Sequence, residues 1–167
     1  MNRALSLLAG AVLLVGIYIS VFYLTRSPSE PAGPATAPAG RSVVLPPGAP
    51  APLAPYSPGI RAGDFVFLSG QLGMDAATGQ LVAGGTVPQA RQALANLRIL
   101  LTAAGLTFDD VVRATVYLAD LDDYGAVNEV YGEVFTGPPP ARVAVEVARL
   151  PRDARVEISM IAYGPPR

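Results

Sequence analysis

Ten of the chain's seventeen prolines fall between Ser27 and Pro58, and this interval decides where a folded core can lie. Proline fixes φ and removes an amide donor, so a run this dense supports neither a helix nor a strand ladder and stays semi-extended. Within it only Arg41 to Leu45 reads as a strand. A folded domain is therefore expected over residues 41–167, preceded by a Pro/Ala-rich linker over 27–40. About 125 residues are enough for one domain around one core. No internal repeat is visible.

Ahead of the linker, Ala4 to Leu24 carries no charge, and 17 of its 21 residues are apolar. At about 1.5 Å per residue it would span roughly 30 Å, the thickness of a bilayer's hydrocarbon core. A cleaved secretory signal is the competing reading. Its apolar region is usually only ~7–15 residues long, and the small-residue triplet Ala35-Thr36-Ala37 ends thirteen residues past Leu24. Residues 1–26 are read as an uncleaved, single-pass transmembrane signal-anchor that meets the membrane through residues 4–24. Arg3 and the α-amino group flank one end and Arg26 the other. The expected arrangement places the domain on the periplasmic or extracytoplasmic side.

Composition removes much chemistry. All twelve basic residues are Arg, and there is no Lys, His or Cys. That excludes Schiff-base catalysis, a Walker lysine, a histidine base, a thiolate nucleophile, an ordinary zinc site and disulfides. From residue 50 onward nine Arg stand against twelve Asp/Glu, a net charge of −3, which argues against a nucleic-acid backbone as partner.

Periodicity gives the elements. Asp64 to Gln71 is a β-rich run, followed by a turn at Thr78-Gly79 and a short return over Leu81 to Ala83. Thr86 and Gln89 read as a capping box opening a helix, Ala90, Leu94, Leu97 and Leu101 form its apolar stripe, and Gly105 ends it. Asp110 to Leu118 reads as a strand with Val112, Ala114, Val116 and Leu118 on one face. A second helix is expected from about Asp122 to Phe135, burying Tyr124, Val127, Tyr131 and Val134. Strands over Arg142 to Ala148 and Ala154 to Tyr163 close the chain. The resulting β-β-β-α-β-α-β-β order is an α+β fold, with two helices on one face of a mixed sheet. The other face must be solvated or buried against further copies.

Alternation in the last two strands sends Arg142, Ala144 and Glu146 to one face and Val143, Val145 and Val147 to the other. The valine face is assigned to the core, leaving Arg142 and Glu157 together on the uncovered face. An arginine there offers a planar fork for a carboxylate, and a glutamate can hold and activate a water. The plain alternative is a set of solvated or inter-subunit charges.

The stretch from Pro140 to Pro151, followed by Ala154-Arg155-Val156-Glu157-Ile158, resembles the C-terminal signature of the RidA/YjgF family. Pro55-Tyr56-Ser57, Leu68-Ser69-Gly70-Gln71, the helix around Gln89 to Leu97 and Val127-Asn128-Glu129-Val130-Tyr131 resemble its earlier motifs in order. The likeness runs over roughly residues 50 to 164. It implies a chorismate mutase-like fold, a homotrimeric barrel with clefts between subunits, and no metal or organic cofactor. It also implies hydrolysis of reactive 2-imino or enamine acids of the 2-aminoacrylate type to 2-keto acids and ammonia. On the family's pattern Arg142 matches the carboxylate-binding arginine and Glu157 the water-holding glutamate, the two catalytic positions. Tyr56, Ser69, Gly70 and Asn128 match positions lining the substrate cleft. The chain departs from the pattern in the short, triple-proline connection between Phe135 and Arg142 and in the apolar N-terminal segment. A non-catalytic trimeric module that binds a small carboxylate or a protein partner is the alternative function. A ribonuclease role fits poorly with an acidic domain lacking His.

Overall fold

The structure is a computed structural model that describes residues 40–47, 52 and 54–165. The expected anchor over 1–26, and the linker up to residue 39, lie outside the described residues. Among the described residues no helix is long and apolar enough to cross a membrane.

Six strands form one mixed sheet: β1 (Arg41–Val44), β2 (Gly59–Ala62), β3 (Phe65–Leu72), β4 (Val111–Leu118), β5 (Ala141–Glu146) and β6 (Val156–Tyr163), in the spatial order β1-β2-β3-β6-β4-β5. All neighbours are antiparallel except β4 and β5, which run parallel at one edge. Parallel neighbours need a crossover, supplied by α2 (Tyr124–Gly132). The longer α1 (Thr86–Ala103) joins β3 to β4. This is the expected α+β architecture, with both helices over one face of the sheet.

The core lies between α1 and that face. Ala90, Ala93, Leu94, Leu97 and Leu101 recur at helical spacing and are almost wholly buried. They meet Val66 and Leu68 of β3, Ala114, Val116 and Leu118 of β4, and Val156, Ile158, Met160 and Ala162 of β6. Each large side chain so buried contributes about 1.5–3 kcal/mol of hydrophobic stabilisation. Arg61 closes the far end of α1, donating from Nη2 to the Ala104 carbonyl (2.6 Å) and from Nη1 to that of Gly164 (2.8 Å). Among the described residues nothing covers the opposite face, and part of it is apolar. Phe65, Phe67 and Tyr163 cluster there, with Phe65 and Tyr163 centroids 5.1 Å apart, and Val143 and Val145 extend the patch.

Several local expectations need correction. The return over Leu81 to Ala83 is a single bridge, Leu81 to Met74. The remaining strand ahead of α1 is instead β2 (Gly59–Ala62), which has too little β-branched content and too many flanking Pro and Gly to show a period. The capping box at Thr86 is absent: Gly85 is the N-cap, at φ +85°, without a side-chain cap bond. Thr86 instead donates to Asp123, and the Gln89 amide oxygen accepts from the Arg155 backbone at 2.8 Å. A register shift between Val111 and Arg113 turns Val112 outward. The second helix is shorter than expected, and Tyr124 leaves its buried stripe.

The sidedness of β5 is inverted. Arg142 pairs laterally with Ala114, whose other neighbour is Met160, and both are buried under the helices. Lateral neighbours share a face, so Arg142 and Ala144 point to the helix side and the valines to the open side. Alternation is symmetric and cannot choose between the two faces; pairing with β4 does.

Candidate active site

Arg142 stands on the edge strand, half-buried, beyond the region that α1 covers. Above it α2 presents Tyr124, Asn128 and Tyr131, whose i, i+4, i+7 spacing puts all three on one helix face. The guanidinium is seated by all three. Its Nη2 donates to the Asn128 side-chain oxygen at 2.6 Å and to the Tyr124 hydroxyl at 3.2 Å. Its carbon centre lies 4.6 Å from the Tyr131 ring and 5.5 Å from the Tyr124 ring, within cation–π range. Among the described residues Nε and Nη1 make no hydrogen bond, so donors remain for a ligand.

This seat forms one wall of an open cavity of about 820 Å³, lined elsewhere by Leu121, Pro139, Pro140 and Ala144. The triple-proline connection therefore shapes the cavity. The Glu146 carboxylate accepts from the Leu121 amide at 2.9 Å and holds that loop. Arg155, paired with Asp123 at 3.0 Å, anchors the start of α2. Among the described residues the Tyr131 hydroxyl is buried without a hydrogen-bond partner, and burial pushes its pKa up to about 12 against the opposing pull of Arg142.

A second group of expected residues gathers on the other side. β3 breaks register between Leu68 and Gln71, and Ser69-Gly70 occupies the irregularity. Gly70 lies directly against Glu157: a Cβ there would come within 1.8 Å of the Glu157 Oε1 atom. Only glycine leaves room for that carboxylate. Burial pushes the Glu157 carboxyl above its ordinary value, closer to the range of a useful base. The Ser69 hydroxyl donates to the Ser57 carbonyl at 2.7 Å and its amide to that of Pro58 at 2.9 Å, pinning the loop that carries exposed Tyr56.

The sheet register keeps these groups apart. Glu157 pairs with Tyr117, three rows along β4 from Ala114, the partner of Arg142. An odd number of rows means opposite faces. Arg142 with Asn128 is on the helix side, and Glu157 with Gly70 is on the open side, so the expectation that Arg142 and Glu157 share the uncovered face of one chain is corrected. Tyr124 and Tyr131 were not singled out as site residues. Their signal was the spacing with Asn128, but two tyrosines in an apolar stripe read first as core. Among the described residues no cluster of acidic side chains could hold a metal ion.

The sequence model of the Endoribonuclease L-PSP family matches residues 47–164. A 2-iminobutanoate/2-iminopropanoate deaminase of Mus musculus is 49% identical over 126 residues, covering 75% of this chain and 93% of that protein. The YjgF gene product of E. coli superposes with a TM-score of 0.69 at 40% identity, covering 73% of this chain and 98% of that one. E. coli TdcF, solved with bound serine, gives a TM-score of 0.69 at 38% identity over the same shares.

Proposed function

The chain belongs to the Endoribonuclease L-PSP (RidA/YjgF) family, and on that premise we propose that it hydrolyses 2-imino and enamine acids of the 2-aminoacrylate type to 2-keto acids and ammonia. The observation that carries this reading is the seated guanidinium of Arg142, which faces a cavity with donors still open. A planar fork matches a carboxylate and holds it with charge-assisted hydrogen bonds. The name of the mouse relative and the serine bound to TdcF, itself a small amino acid with a carboxylate, support the same ligand class.

Gripping the carboxylate fixes the C=N carbon relative to a water, the orientation term that dominates when the electrophile is already activated. Glu157, with its raised pKa, takes the proton from that water as it attacks. No covalent nucleophile is needed, which suits a chain without Lys, His or Cys. Because Arg142 and Glu157 lie on opposite faces, the reading requires Arg142 of one copy to meet Glu157, Ser69 and Tyr56 of the next. A cyclic trimer that buries the Phe65–Phe67–Tyr163 face would supply three such clefts. Residues 4–24 would tether the assembly to a membrane with its domains outside, a topology that protease accessibility in intact and lysed cells would test.

The test uses the full chain in mild detergent, with the imine generated in situ by an amino-acid oxidase and keto-acid release followed. Wild type is expected to outpace spontaneous hydrolysis, while Arg142→Ala and Glu157→Gln lose the acceleration. Equal co-expression of those two variants should restore about one quarter of wild-type activity, since that fraction of clefts in a ring draws both intact residues. Absence of acceleration by wild type sinks the deaminase reading. Absence of restoration by mixing sinks the shared cleft.

A further inference from the structure

Tyr124 sits at the cavity wall beside Arg142, yet its hydroxyl has no role in gripping a carboxylate. Its oxygen accepts from Arg142 Nη2 at 3.2 Å and hydrogen-bonds the Asn128 side chain. A phenol oxygen that accepts from a guanidinium keeps its own hydrogen to donate, and this one stands on the wall of the cavity. Tyr124 is 42% exposed and lines the cavity, so a ligand held on Arg142 lies within its reach.

We propose that Tyr124 is a further catalytic residue, the acid that protonates the departing nitrogen. This rests on the deaminase reading. The acid then stands on the arginine side of the cleft and the base, Glu157, on the glutamate side, so that proton removal and delivery occur from opposite walls. The electron flow balances. Water adds to the iminium carbon while Glu157 takes one of its protons, and the C=N pair returns to nitrogen. In the carbinolamine the nitrogen takes the phenolic proton of Tyr124. The C–N bond breaks with its pair on nitrogen, C=O forms, and the carbinolamine hydroxyl proton restores the phenol. The proton on Glu157 leaves with ammonia as ammonium. One water is consumed, and neither residue is changed.

The environment favours the role. Hydrogen bonding by Asn128, then by Arg142, and the charge of Arg142 lower the Tyr124 pKa from that of a free phenol. The other groups near it do not oppose this. Tyr131 from α2 stays neutral because burial raises its pKa, Asp123 is turned to Thr86 and Arg155, and Glu146 is engaged with the Leu121 amide.

Tyr124→Phe in the full chain tests the assignment, because it keeps the ring against Arg142 and removes only the hydroxyl. The expected result is a fall in kcat of about 10²-fold, the low end for loss of a positioned acid. KM should hold, and the alkaline decline of kcat expected of wild type should vanish. Titration by phenolate absorbance should show one of the seven tyrosines ionising ahead of the rest in wild type, and none ahead in the variant. An unchanged kcat, a loss confined to KM, or no early-ionising tyrosine overturns the proposal. A wild type without deaminase activity instead overturns the reading on which it rests, and the two failures are told apart by the wild-type rate alone.

Discussion

Gly70→Ala isolates the position of one carboxylate from everything else in the fold. The new Cβ would stand 1.8 Å from the Glu157 Oε1 atom, 2.7 Å from its Cδ and 3.0 Å from its Cγ. Non-bonded carbons settle near 3.5–4 Å, so the Glu157 head must retreat by about 1.5–2 Å. The backbone of β3 cannot yield instead, because Ser69 is pinned on the Gly59 side by two hydrogen bonds to the Ser57 and Pro58 carbonyls. Moving a half-buried side chain off its rotamer costs about 0.5–1.5 kcal/mol. Replacing a strand glycine by alanine returns about 0.5–1 kcal/mol. Thermal stability should therefore hardly move. Catalysis is far less tolerant, since a displacement near 1 Å costs about 10²-fold. The expected result is a drop in kcat/KM of about 10²-fold at unchanged Tm and assembly state. Glu157→Asp combined with Gly70→Ala should lose less than the product of the single losses, because the shorter side chain escapes the new methyl. Activity of Gly70→Ala within about threefold of wild type, read as a transition-state free energy, would refute the role of Glu157 at the reacting centre.

Two further outcomes follow from the same coordinates. The Asp123 carboxyl is held below its usual range by the Thr86 hydroxyl and by Arg155, so its contribution is complete above the unfolded value of about 3.9 and is lost as pH falls through the folded one. Asp123→Asn should lower Tm at pH near 6, and the gap should narrow towards pH ~3 by thermal denaturation; a gap independent of pH would contradict the pairing. Phe67→Glu puts a charge into the open apolar patch and should yield a monomer by sedimentation, with deaminase activity lost, whereas an intact trimer would exclude that face as the interface.

How much of this was legible in the sequence varied with the kind of signal. The stripe Ala90, Leu94, Leu97, Leu101 was visible because a helix buried on one side must repeat at 3.6 residues, and all four side chains are buried. β2 was invisible because a four-residue strand framed by Pro58 and Gly63 is held by its partners rather than by any preference of its own. Arg142, Asn128, Ser69, Gly70 and Glu157 were proposed from motif. Their grouping could not be read, because which face a strand's odd residues occupy is decided by hydrogen-bond register with another strand. Tyr124 was misread for a related reason, whereas Tyr131 is buried as its place in the stripe predicts. Helical spacing reports a shared face, but not whether that face meets a core or a cavity.

The division of the site is a consequence of topology. β5 reaches the sheet through a crossover and must lie parallel beside β4, at the edge, where α1 no longer covers it. At that edge an arginine can be seated by aromatic rings and still be reached from outside. Glu157 belongs to β6, between β3 and β4, where the helix side is filled by Val156, Ile158 and Met160. A carboxylate on such a strand can only project to the open face, beside the irregularity at Ser69-Gly70. On the proposed reading, a chain with this strand order binds a carboxylate on one side and holds a base on the other. Joining them takes a second copy, and the apolar patch on the open face gives that copy a reason to dock. Assembly and hydrolysis are then one requirement: an isolated chain could hold an imino acid but would have no base to set water upon it.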